Sequence, residues 1–205
     1  MNKLYNFSCD LNAGRLVPCK DQIGGLNKIY LLPYSETLFN KFTFSDNEIT
    51  EIGTLTIFKY DLRPNSSSFT STITSNPVNG TTYYEQTLEV SLNKIVKEDL
   101  SQLDKVVKGR CQVFVLDAND NVFVVGTRFG CDVTAGAMST GLAKADMSGF
   151  TLTFTSQETE NYIVKKSSGN PAEASYPFDS ITTPANITIT PIELVAPAIN
   201  SPARS

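Results

Sequence analysis

Histidine and tryptophan are both missing from this chain of 205 residues, and each absence removes a class of chemistry. Without imidazole the commonest general base is gone, Ser-His and Cys-His nucleophile pairs are impossible, and zinc hydrolase motifs that ligate through histidine are excluded. Without tryptophan, a glycosidase built on paired carboxylates would have only Tyr and Phe on which to stack its sugars. Long apolar runs are missing too. No stretch approaches the roughly 18 consecutive apolar residues of a membrane span, so no membrane partner is expected. The opening Met1-Asn2-Lys3-Leu4-Tyr5-Asn6 lacks the apolar core of a signal peptide.

Charge is sparse at 19% of residues, and 17 Lys and Arg face 21 Asp and Glu for a net charge of −4. Non-specific DNA affinity grows with the phosphates neutralised by clustered Lys and Arg, and the sequence has no such cluster. Sequence-specific nucleic-acid binding is not expected. The four cysteines, Cys9, Cys19, Cys111 and Cys131, form no C-x-x-C pair, which speaks against a zinc site. They are expected as reduced thiols with core roles, with a disulfide as the alternative. Gly126, Gly130 and Gly136 have the wrong spacing for a phosphate or dinucleotide loop. Asp117-Ala118-Asn119-Asp120-Asn121 offers the first, third and fifth ligands of a calcium loop. Val122 stands where that loop needs Gly and Arg128 where it needs Glu, so a hairpin turn is expected. No catalytic, metal-ligating or cofactor-binding residue is nominated, and the chain is not expected to be an enzyme.

What is present is an all-β pattern around one helix. A chain of this length can bury roughly 70% of its unfolded surface as one domain. Leu92, Ile95, Val96, Leu100, Leu103, Val106 and Val107 recur at the spacing of one helical face, which predicts a helix over 92–107 closed by Gly109. Cys111 to Leu116 and Val122 to Val125 then predict a hairpin apolar on both faces, covered by the helix on one side and a sheet on the other. Upstream, strands are expected at Lys28 to Leu32, Thr43 to Ile49, Ile52 to Leu62 and Thr81 to Leu92. In the last of these Tyr84, Leu88, Val90 and Leu92 share one face. Asn65 to Gly80 is a polar run, long for a connection; a loop that crosses to a neighbouring subunit is expected, with a strand over Phe69 to Thr74 as the alternative. Phe150 to Phe154 returns as a strand, and Tyr162 to Val164 ends the body.

Three regions follow: an N-terminal extended segment, 1–27; a β-sandwich, 28–166; and a Pro-rich C-terminal arm, 167–205. The arm carries one strand, Asn186 to Thr190, which either augments another sheet edge or completes its own sandwich. Removing 172–205 is expected to leave a folded chain that assembles poorly. Gly126, Gly130, Gly141 and Gly149 are placed where the backbone must turn sharply.

The run Gly126-Thr127-Arg128-Phe129-Gly130-Cys131-Asp132-Val133-Thr134-Ala135-Gly136, continuing through Ser139-Thr140-Gly141 and Asp146-Met147-Ser148-Gly149 to Phe150-Thr151-Leu152-Thr153-Phe154, together with the helix and hairpin before it, resembles virion structural proteins of tailed phages of gut Bacteroidales. The crAss-like phages are among them, and the likeness is to their tail-tube-like proteins. The resemblance implies a tail-tube-like β-sandwich or barrel with extended arms, assembled in the host cytoplasm into the virion tail or neck. It also implies a homo-oligomeric ring, a hexamer or dodecamer, whose lumen passes DNA and which contacts other tail and neck proteins. The alternative reading is a capsid-decorating or receptor-facing β-sandwich binding module.

Overall fold

The computed structural model describes residues 14–171, 173, 176–181 and 187–191. Residues 1–13, the start of the expected N-terminal segment, lie outside them. The described residues carry twelve strands in two sheets and one α-helix, so the chain is mainly β with a single helix.

The larger sheet has eight strands. From one edge they run β12 (Ile187–Pro191), β4 (Leu55–Asp61), β1 (Leu26–Pro33), β7 (Cys111–Asp117), β8 (Val122–Val125), β11 (Tyr162–Val164), β3 (Glu48–Ile52) and β2 (Phe42–Ser45). β12 and β11 pair in parallel with β4 and β3, and the other neighbours are antiparallel. The smaller sheet has four antiparallel strands, β5 (Ser68–Asn76), β6 (Thr81–Asn93), β10 (Gly149–Glu158) and β9 (Asp132–Ser139), in that order.

β7 and β8 form a wall shared by two cores, as their unbroken apolar run requires. Phe114, Leu116, Val122 and Val124 face one core, with Tyr30, Leu55, Ile57, Ile49 and Val164. Val113, Val115 and Val125 face the other, with Leu88, Val90, Leu152 and Phe154 of the small sheet and Leu103 of the helix. The first core lies within the curl of the large sheet and is closed by residues 176–181. Phe178 is fully buried there, its ring edge-on to Tyr30 and Phe114 with centroids 5.2 Å from each. Part of the region expected as an arm, 167–205, is thus interior packing. β12 extends this chain's own sheet, and a chain cut before 172 would lose Phe178.

α1 spans Lys97–Lys108 and starts later than the predicted helix over 92–107. Leu92 belongs instead to β6, where it pairs with Phe150, and the chain turns at Lys94, whose φ is 73°. Cross-strand pairing outweighs a helical period that the residues before Val96 also satisfy. In the polar run after Pro64 the crossing loop is replaced by its alternative, a strand: β5 spans Phe69 to Thr74 and extends past it at both ends. β5 joins β6 through a turn in which Asn76 Oδ1 accepts the backbone N–H groups of Val78 and Asn79 and Gly80 takes φ +64°.

Candidate assembly surface

Among the described residues the small sheet ends on both sides in a strand with one partner: β5 pairs only with β6, and β9 only with β10. Natural sheets usually guard such edges with charge, proline or a covering element. Here no charged residue occurs from Pro64 to Tyr84, and none from Val133 to Ala143. The β5–β6 hairpin also outruns the sheet, because β10 reaches only as far as Tyr84 on β6. Beyond that point, marked on β5 by exposed Ile73, it is a two-stranded ribbon with exposed Val78 in its turn, and such ribbons are marginal alone. Beside β9 runs an open apolar groove of about 440 Å³, lined by Leu100, Leu103 and Val107 of α1 and by Val133, Ala135 and Met138 of β9.

The four strands alternate in direction, so the two edges run oppositely. A second copy in the same orientation would place its β5 antiparallel to β9 of the first, continuing the sheet. The edges also sit at different heights. Thr72, mid-β5, lies against Glu85 of β6, whereas Gly136, mid-β9, lies through Leu152 against Val90. The midpoints of the two edge strands are thus displaced by five residues along β6.

Two buried polar clusters fix this sheet on the body. Gln86 of β6 donates from Nε2 to Asn161 Oδ1 (2.9 Å) and to the Val124 carbonyl (3.3 Å), while its Oε1 accepts the Gly126 N–H (3.0 Å). Ser71 of β5 donates to the same Asn161 Oδ1 at 3.0 Å. At the end of β10, Glu158 Oε1 accepts the N–H groups of Arg128 (3.0 Å) and Phe129 (2.9 Å). Its Oε2 has no hydrogen-bond partner among the described residues. Burial raises the Glu158 pKa, and the Phe129 and Arg128 N–H groups and the Ser156 hydroxyl only partly oppose that shift. Sequence reading passed over both clusters, although Gln86 has the same parity as Leu88 and Val90 and so belonged to the buried face.

Of the four glycines singled out, Gly126, Gly130 and Gly141 have φ of 70°, 76° and 71°. Gly126 and Gly130 bound the turn after β8, where the Gly130 N–H donates to the Gly126 carbonyl at 3.1 Å and Arg128 and Phe129 are presented to Glu158. Gly149 is needed for close approach instead, since a Cβ there would meet the Leu92 carbonyl oxygen. In the β7–β8 turn both Asp117 oxygens are taken by Asn119 and Asn121 donors. Among the described residues no group of three or more Cys, Asp or Glu is placed to hold a metal ion, and no helix is long and apolar enough to cross a membrane. No protein family, curated protein or solved structure compared with the chain matches it.

Proposed function

We propose that the chain is a structural subunit of a tailed-phage particle, forming with copies of itself a ring of the tail or neck that encloses the DNA channel. The observation that carries the assembly is the pair of oppositely directed, staggered edges of the small sheet, with Asp132 at the start of β9 as their one charge. Head-to-tail pairing of β5 with β9 leaves no edge of the small sheet exposed once the ring closes. The virion assignment rests on the sequence resemblance. A net charge of −4 suits a lumen past which DNA slides without adhering. No side chain is asked to perform a reaction.

Negative-stain electron microscopy with light scattering on the purified chain tests this. Closed rings with a central lumen, of six or twelve copies, are the expected outcome. A monomer at all concentrations overturns the ring. Compact trimers without a lumen would favour the capsid-decorating or receptor-facing module.

A further inference from the structure

Cys111, the first residue of β7, and Cys131, which precedes β9, face each other across an isolated antiparallel bridge. Each backbone N–H donates to the other's carbonyl, at 3.0 and 2.7 Å, and the two Sγ atoms lie 3.4 Å apart as free thiols. Hydrogen-bonded antiparallel pairs hold their Cα atoms about 5.5 Å apart, within the span a disulfide bridges. Both side chains are buried, but Cys111 also lines a cleft of about 330 Å³ between α1 and the β4–β1–β7 face, with Phe58, Tyr60, Lys105, Val106 and Arg110.

We propose that Cys111 and Cys131 are a dithiol site that a small organic disulfide, entering this cleft, oxidises to a cross-strand disulfide. The Cys111 thiolate attacks one sulfur of the reagent, forms a mixed disulfide and expels one thiolate. Cys131 then attacks Cys111 Sγ and expels the second. The two protons lost by the cysteines end on the two released thiols, so the reagent is reduced as the protein is oxidised. Lys105 in the lining favours the entry of an anionic reagent. Cys131 is fully buried, and the hydrogen-bonded Cys111 thiol and burial raise its pKa. It is therefore the resolving thiol. The bond would tether the root of the open edge strand β9 to the end of the helix.

The test uses the full chain carrying Cys9→Ser and Cys19→Ser, with oxidised glutathione as probe, followed by denaturation, alkylation and peptide mass mapping. Loss of both thiols and a linked Cys111–Cys131 peptide two hydrogens lighter are expected. In a further Cys131→Ser chain the glutathione adduct accumulates on Cys111, and in a Cys111→Ser chain Cys131 stays free. Mapping of the unsubstituted chain reads the same link without any substitution. Both thiols remaining free in the folded chain, or a separate glutathione adduct on each, overturns the proposal.

Discussion

At the scale of single residues, backbone conformation and buried charge make the sharpest demands. Gly126 combines φ +70° with a neighbour, the Cys131 nitrogen, that would lie 2.6 Å from an added Cβ. Gly126→Ala is therefore expected to lower stability by about 1–3 kcal/mol, read as a shift in urea midpoint. Glu158 makes a prediction in pH. Its folded-state pKa is raised, so the folded chain holds this proton at pH values where the unfolded chain has lost it. Its contribution to stability is thus largest below the ordinary glutamate range and is lost as pH rises through the raised value. Glu158→Gln keeps an oxygen for the Arg128 and Phe129 N–H groups and removes the titration. The urea midpoint of the native chain should gain on that of the variant as pH is lowered from about 7 to about 4, and a constant difference would contradict the assignment.

At the scale of elements, the open edges of the small sheet predict how assembly can be blocked without unfolding. Thr72 is exposed on β5 opposite Glu85, so Thr72→Lys adds a charge to the edge while giving β6 an opposite-charge partner. Ala137→Lys adds a charge to the β9 edge, where Ala137 is exposed opposite Thr151. Each variant should keep native circular dichroism and a thermal midpoint within a few degrees, yet run as a monomer by light scattering where the parent assembles. Strands alternating over several residues were legible in the sequence, among them β1, β4, β6 and the β7–β8 hairpin. β5 and β9 were harder to see, because each mostly exposed edge strand has few large apolar residues to alternate: Phe69 and Ile73 in Ser68–Asn76, and Val133 and Met138 in Asp132–Ser139. The helix start was misplaced because Leu92 satisfies both the helical and the strand period, and only the distant Phe150 decides between them.

At the scale of the molecule, two cores share one wall, and the first is closed by residues far along the chain. Phe178→Ala removes a ring with no solvent exposure that touches Tyr30 and Phe114, and should cost about 3–5 kcal/mol. One cooperative thermal transition shifted downward is the expected result, since damage to either face of β7 and β8 is felt by both cores. This closure was not legible, because Pro-rich spacing around Tyr176 and Phe178 resembles a linker until the cavity it fills is known. The parallel pairing of β12 with β4 separates partners such as Ile187 and Leu55 by most of the sequence. On a translating ribosome β4 therefore waits with one side bare until nearly all of the chain has been synthesised. Nascent copies crowded on one message would be at risk of borrowing each other's β12, so the speed of translation itself becomes a variable in the yield of correctly folded subunits.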